Sequence, residues 1–395
     1  MNSKPIEHSD IFSQNHQSKK AQKINDILKP KIINQIEDLS ILPIKIPIKE
    51  EIIIDKIENI NAEDINSKII IELNNKPELI KESIYVKDYY SKGGSATCFI
   101  CESEKFPGKQ FIMKNIENSS SLTKNLSFNH FQKIIQNEFF IHYISKCRYV
   151  TTVNGLFQID NKFLIFSEFE KYGDLSHFNK KYLNMTNLTE SMTIYFSGMI
   201  IKGLEHLHRL KICHFDIKLE NIVINGFFNA KITDFSISRD YSHLKEVKLY
   251  STGTPQYISP EQYQNKIIAS SLLERVDLWS FGIVLYKLVY GYFPFNLGMR
   301  HFKKELNQPQ ERPSSSAILN QILNNKLRFC KKAVDISPGL KNLINGLLQK
   351  DINKRMSIKE VLSHPIMSKY ESLIEMKSKY SDLEKFIQVL KHETF

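Results

Sequence analysis

The pattern of apolar and polar residues divides the chain into three parts. Residues 83–169 contain short apolar runs typical of β-strands, together with one helical run over residues 131–144. From residue 170 to about residue 368 the apolar positions mostly follow helical spacing. A small strand-rich part before a larger helical part predicts an α+β fold with two lobes, spanning residues 83–368.

The first 82 residues are rich in Ile, Lys and Asn and contain no glycine. Such a segment offers few turn signals and predicts a poorly ordered, low-complexity extension. Residues 41–49 alternate apolar and polar side chains around two prolines, which permits at most an edge strand. We therefore expect the extension to contribute, at most, a docking strand for a partner. A polar stretch over residues 291–317 predicts a surface insertion.

Residues 369–395 predict a helical tail. Their apolar side chains recur at alternating intervals of three and four, which is the spacing of one helix seam. The seam is shorter than three heptads, so packing onto the chain's own domain is favoured over a coiled coil, although partner docking through this helix stays open. The seam residues are Leu373, Met376, Tyr380, Leu383, Ile387 and Leu390.

Composition places the chain among soluble globular proteins, with 42% hydrophobic and 25% charged residues. No apolar stretch is long enough for a membrane span, and the first residues lack the pattern of a secretory signal. The five cysteines are odd in number and scattered, which argues against a disulfide framework or a zinc site. We expect an intracellular protein, in the cytoplasm or the nucleus.

The net charge of +11 raises the alternative of a nucleic-acid-binding protein. Residues 1–80 carry 11 lysines against 13 acidic residues, so the excess positive charge belongs to residues 81–395. A nucleic-acid surface would require clustered Lys and Arg with interleaved aromatic residues, and the sequence contains no such cluster. A dedicated nucleic-acid site is therefore not predicted.

A glycine-containing segment between two strand-like runs is the first candidate for chemistry. Small side chains there allow backbone N–H groups to approach phosphate groups closely. Taken alone, the segment is better explained as a glycine-rich hairpin turn. Its candidate phosphate-binding residues are Tyr90, Ser91, Gly93, Gly94, Ala96 and Cys98.

Five charged residues and an amide complete the candidate site. Lys114 ends an apolar strand, where a buried cation needs an anionic partner, and Glu138 on the following helical run can supply it. Asp216, Lys218 and Asn221 lie within six residues, in a loop between apolar runs, where they can face a hydroxyl, a phosphate and a metal ion. Asp234 follows 13 residues later at another strand end, as a second candidate ligand for Mg²⁺.

These residues resemble the signature set of eukaryotic protein kinases, in the family's order. His214-Phe215-Asp216 resembles the HRD sequence of the catalytic loop, and Asp234-Phe235-Ser236 resembles DFG. Residues 253–261 resemble the end of the activation segment, and Asp277 begins a run that resembles the central buried helix. Arg355 resembles the arginine that pairs with Glu261. The resemblance covers about residues 84–368.

The resemblance implies transfer of the γ-phosphate of ATP to a protein hydroxyl, with Mg²⁺ as cofactor. It implies that Asp216 orients the hydroxyl, that Lys218 neutralises charge on the phosphoryl group, and that Asn221 and Asp234 bind metal. Lys114, held by Glu138, would position the nucleotide, and Asp174 would contact the ribose. Lys218 and Thr254 resemble the serine/threonine branch, and the run after Gly282 resembles calmodulin-dependent-kinase-like members.

Several departures from the family pattern keep a second interpretation open, namely a pseudokinase that binds partners without turnover. Ser236 replaces the DFG glycine, and Ile112 stands where the family usually has alanine beneath the adenine. Phe215 replaces the HRD arginine, which normally pairs with a phosphate on the activation segment. We therefore expect activity without that phosphorylation, unless Lys231 or Arg239 substitutes for the arginine.

Overall fold

The computed structural model confirms an α+β fold with a small sheet-rich lobe and a larger helical lobe. The helical run expected over residues 131–144 is one helix, α1, Phe128–Ile144, whose N-cap Ser127 accepts a hydrogen bond from the His130 backbone N–H. The described residues are 52–53, 68–73, 80–92, 96–104, 107–117, 126–159, 162–183, 187–295, 314–329, 336–380 and 383–392.

The small lobe is built on one antiparallel sheet of seven strands in the order β1-β2-β3-β4-β5-β7-β6. Helix α1 packs on this sheet because Phe131 and Ile135 are buried against Phe163 and Ile165 of β7. The strands are β1, Ile52–Ile53; β2, Lys68–Leu73; β3, Ile80–Lys92; β4, Ala96–Ser103; β5, Gln110–Glu117; β6, Val153–Ile159; and β7, Lys162–Glu168.

The sheet reaches into the segment that the sequence assigned to a poorly ordered extension. Strand β2 pairs antiparallel with the first half of β3, with Lys68 opposite Tyr85 and Leu73 opposite Ile80. The run Lys-Ile-Ile-Ile-Glu-Leu of β2 is rich in β-branched residues, which favour strands. The stretch over residues 41–49, proposed as a docking strand, lies outside the described residues, as does most of the insertion over residues 291–317.

The large lobe surrounds two buried helices, α3, Glu190–Arg209, and α5, Glu274–Tyr290. Three short antiparallel pairs lie beside them: β8, Ile212–Cys213, with β11, Arg239–Asp240; β9, Ile222–Ile224, with β10, Ala230–Ile232; and β12, Glu246–Lys248, with β13, Ile267–Ala269. The remaining helices are α2, Leu175–Lys181; α4, Pro260–Tyr263; α6, Ser315–Asn324; α7, Pro338–Leu347; and α8, Ile358–Leu362. No helix among the described residues has both the length and the apolarity needed to cross a bilayer.

The tail forms two helices instead of the single helix that was predicted: α9, Ile366–Ser378, and α10, Leu383–His392. Both contact α3. Gly198 of α3 admits the ring of Tyr370, since a Cβ atom there would lie 2.1 Å from that ring. The Thr189 hydroxyl caps α3 and also donates to the Leu390 carbonyl oxygen at 2.8 Å. The ring of Phe386, which is not a seam residue, is fully buried.

The burial of Phe386 predicts that the tail stabilises the large lobe. Its ring centroid lies 5.4 Å from that of Tyr195. Phe386→Ala should lower the free energy of unfolding by about 3 kcal/mol, because truncating a buried aromatic ring leaves a cavity. Urea unfolding followed by fluorescence measures the change, with the exposed neighbour Lys385→Ala as the control. A loss below about 0.5 kcal/mol, the range of ordinary surface substitutions, would show that the tail is not part of the cooperative core.

Candidate active site

A partly buried ion triad connects the sheet, helix α1 and the segment that follows β10. The Nζ atom of Lys114 lies 2.6 Å from Glu138 Oε1 and 3.1 Å from Asp234 Oδ1. Burial by itself would lower the pKa of Lys114, but the charges of Asp234 and Glu138 raise it. Burial would raise the pKa of Asp234, but Lys114 holds it well below its ordinary value. Both groups are therefore charged at neutral pH.

The catalytic-loop candidates form a second hydrogen-bonded cluster around Asp216. Its Oδ2 atom accepts from Lys218 Nζ at 2.6 Å and from Asn221 Nδ2 at 3.0 Å. Its Oδ1 atom accepts from the backbone N–H and the hydroxyl of Thr254, at 3.0 and 2.9 Å. Gly253 has a φ of +104°, and a Cβ there would lie 3.0 Å from the Phe215 carbonyl oxygen. The end of the activation segment is thus fixed against Asp216.

A buried carboxylate on helix α5 anchors the loop that carries Asp216. Asp277 of α5 accepts from the backbone N–H groups of His214 and Phe215, at 2.9 and 2.8 Å, and from His208 Nε2 at 2.9 Å. A second buried contact is bidentate, with the guanidinium of Arg355 at 2.7 and 3.0 Å from the two carboxylate oxygens of Glu261. The pairing of Arg355 with Glu261, expected from the resemblance, is present.

The remaining nucleotide-binding candidates lie at the edge of the same cleft. Ser91 and Cys98 are paired across β3 and β4, and Cys98 is paired with Lys114 across β4 and β5. Burial raises the pKa of Tyr90 to about 12, with a further contribution from the charge of Asp174. The carboxylate of Asp174 caps α2 by accepting from the His177 backbone N–H at 2.8 Å.

The glycine-containing turn itself is only partly described. Gly93 and Gly94 lie outside the described residues, whereas Ala96 begins β4 and is paired with Ile116 of β5. The phosphate-binding role of these residues therefore stays a prediction.

Comparison with known proteins identifies the family. The family model of the protein kinase domain matches residues 89–367. The chain belongs to the protein kinase family. A probable serine/threonine-protein kinase of Dictyostelium discoideum is 28% identical over 75% of this chain and 67% of its own length. The serine/threonine-protein kinase TOS3 of Saccharomyces cerevisiae is 31% identical over 43% of this chain and 31% of its own length. A mitogen-activated protein kinase kinase of Nicotiana tabacum is 28% identical over 68% of this chain and 69% of its own length.

Membership in the protein kinase family implies use of ATP and a divalent metal ion. The residues fit a hard cation, which prefers oxygen ligands. Asp234 supplies a charged carboxylate, and the amide nitrogen of Asn221 donates to the Asp216 carbonyl oxygen at 2.9 Å, which leaves its amide oxygen for other partners. The backbone N–H of Thr233, next to Asp234, donates to the Asn221 carbonyl oxygen at 3.0 Å. The two candidate metal ligands are thus directly linked.

Phe215 packs into an apolar cluster instead of facing a phosphate. It adopts a φ of +66° and is buried with Tyr241, Val247 and Leu249 of the activation segment and Ile268 of β13. The β12–β13 pair holds the same part of the segment. Apolar contacts therefore occupy the place where many kinases use an arginine and a phosphate.

Lys231 does not substitute for the missing arginine. Its Nζ atom lies 2.5 Å from Glu168 Oε1 and 2.9 Å from Glu170 Oε1, both in the segment that links the two lobes. These two carboxylates already pair with the lysine. The suggestion that Lys231 could substitute for the HRD arginine is therefore wrong. Arg239 lies over the ring of Tyr250, at 5.6 Å from its centroid, on the activation segment.

One residue of the site, His142, was not predicted from the sequence. His142 lies one helical turn after Glu138 on α1 and stacks on Phe235, with ring centroids 4.6 Å apart. Its Nε2 atom lies 2.8 Å from the Thr151 carbonyl oxygen. The spacing of four residues from Glu138 places both side chains on one helix face, which was the available signal.

The burial of His142 predicts a pH-dependent stability. Burial lowers its pKa from 6.5 to about 4, so the folded protein keeps the imidazole neutral while the unfolded chain protonates it. The contribution of His142 to the free energy of unfolding is therefore fully present above pH 6.5 and declines as the pH falls towards 4. At pH 5 the free energy of unfolding should be about 2 kcal/mol lower than at pH 7 because of this single group. Urea unfolding of wild type and His142→Gln at both pH values measures it, and an equal decline in both proteins would contradict this assignment.

Proposed function

We propose that the chain is an active serine/threonine kinase that transfers the γ-phosphate of ATP to protein hydroxyl groups. The observation that carries the proposal is the position of Lys114 Nζ, within 2.6 Å of Glu138 and 3.1 Å of Asp234. A lysine held in this way has one N–H donor left, which can bind a phosphate group of a nucleotide.

Asp216 is the proposed acceptor of the substrate hydroxyl's proton. Its carboxylate orients the hydroxyl, while Lys218, at 2.6 Å, neutralises charge that accumulates on the transferred phosphoryl group. The hydroxyl of Thr254 donates to Asp216 and accepts from Lys218 Nζ at 2.9 Å, which fixes the two side chains relative to each other. Catalysis then depends on positioning and electrostatics.

Asn221 and Asp234 are the proposed ligands of Mg²⁺. When bound, the ion neutralises charge on the phosphate oxygens. Asp174 is proposed to contact the ribose and the turn after β3 to cover the phosphates. Protein substrates and an intracellular site of action, in the cytoplasm or nucleus, belong to the same proposal, since the four free cysteines among the described residues suit a reducing compartment.

A pseudokinase scaffold is the second candidate, and one observation favours it. Ile112 is paired with Ser167 on β7 and with Ile100 on β4, beside the segment that joins the lobes. Its branched side chain reduces the space beneath a bound purine. The presence of all five polar residues, Lys114, Glu138, Asp216, Asn221 and Asp234, supports turnover over scaffolding.

Replacement of Asp216 tests the catalytic proposal. Asp216→Asn should bind ATP with nearly unchanged affinity but lose transfer by about a hundredfold or more, since only the hydroxyl-orienting carboxylate is removed. Nucleotide titration and initial rates with a generic protein substrate measure the two properties. The exposed residue Asp88 provides a control with the same chemical change, Asp88→Asn, which should keep full activity. Full activity in Asp216→Asn would refute the role of Asp216.

The apolar contacts of Phe215 predict activity without phosphorylation of the activation segment. A phosphate on this segment would find no arginine next to Asp216, while the contacts with Val247 and Leu249 already order it. Phosphatase-treated protein, verified by mass spectrometry, should keep most of its kcat towards a generic peptide. A hundredfold loss, equivalent to about 2.7 kcal/mol of transition-state stabilisation, would show that phosphorylation controls the site.

A further inference from the structure

A cavity of about 200 Å³ lies between residues 147–149, which follow α1, and the C-terminal half of α3. The helix contributes Lys202, Glu205, His206 and Arg209, whose spacing places them on one face. None of these side chains belongs to the candidate active site. The cavity is therefore a second concave surface with its own set of polar groups.

The charge of this cavity is not balanced by the protein. Arg148 and Arg209 are exposed, and neither has a carboxylate partner among the described residues. The guanidinium of Arg148 only lies over the ring of the adjacent Tyr149, at 5.3 Å from its centroid. Lys202 is paired with Glu371 of α9 at 2.7 Å, and Glu205 is the one carboxylate in the cavity wall. Two guanidinium groups thus face a cavity with a single carboxylate.

Neighbouring bases respond to this positive potential. Burial and the charge of Arg209 lower the pKa of His206, whose Nε2 atom is buried without a hydrogen-bond partner in the described part of the chain. Burial and the charge of Arg148 lower the pKa of Lys377 to about 8. The Nζ atom of Lys377 donates only to neutral acceptors, the Phe227 carbonyl oxygen at 2.6 Å and Asn229 Oδ1 at 2.8 Å. An anion in the cavity would offset the charge contributions of Arg209 and Arg148, while burial remains the larger cause of both pKa shifts.

We propose that the cavity binds a phosphate monoester, held by Arg148 and Arg209 with His206 as a further donor. The planar guanidinium group offers paired N–H donors that match the oxygen geometry of a phosphate, and two such groups match its double negative charge. The Nε2 atom of His206 can donate after the ring is protonated, which a neighbouring anion favours. A phosphorylated protein side chain and a small phosphate ester share this chemistry.

Titration calorimetry on the full chain tests the proposal with two probes, inorganic phosphate and a phosphoserine peptide beside its unphosphorylated form. Wild type should bind a phosphate probe saturably, and Arg148→Gln/Arg209→Gln should bind it at least tenfold more weakly. Glu205→Gln should bind at least twofold more tightly, because it removes a like charge from the wall. The exposed pair Lys133→Gln/Lys359→Gln is the charge-matched control and should behave as wild type.

The two probes separate the sources of the ligand. Peptide binding at least tenfold tighter than that of inorganic phosphate supports a phosphorylated protein segment, whereas comparable affinities support a small phosphate ester. Equal binding by wild type and the arginine double variant overturns the proposal, as does the absence of saturable binding by either probe. Binding that survives in the double variant but is lost in Lys114→Met would place the phosphate in the nucleotide cleft and equally overturns it.

Discussion

The partly buried charge of Lys114 is the constraint on which the site depends. A cation withdrawn from water is costly unless it is paired, and its two partners come from helix α1 and from the segment after β10. Strand β5, helix α1 and the Asp234 segment must therefore meet at one point. This requirement fixes the small lobe relative to the large lobe, and it also places a charged carboxylate at the position proposed for the metal ion. One ion triad thus couples the fold to the proposed chemistry.

The large lobe contributes the second half of the arrangement through Asp277. This buried carboxylate accepts hydrogen bonds from two backbone N–H groups of the catalytic loop, so the loop is anchored to the buried helix α5. Phe215 packs with apolar residues of the activation segment, which supports the proposal that Asp216 keeps its position without a phosphate there. Rigid anchoring of this kind is what catalysis by positioning requires.

Much of the fold and the site could be predicted because the decisive signals are local. Asp216, Lys218 and Asn221 lie within six residues, and the change from strand-like to helical spacing marks the two lobes. The missed features join distant positions: Lys231 and Glu168 are 63 residues apart, and His142 meets Phe235 across the lobes. The prediction of a single tail helix was wrong for a related reason, although the seam residues Leu373 and Leu390 are fully buried in the large lobe. Periodicity predicted one helix, but a second helix, α10, buries Phe386 outside that seam against α3.

Phosphoamino-acid analysis shows whether these residues transfer phosphate to serine or threonine. Purified protein is incubated with γ-labelled ATP, Mg²⁺ and a panel of generic protein substrates, and the labelled products are hydrolysed and separated. We expect Mg²⁺-dependent label in phosphoserine or phosphothreonine. Label mainly in phosphotyrosine would contradict the serine/threonine assignment, and no transfer to any substrate would contradict the claim of an active enzyme and favour the scaffold.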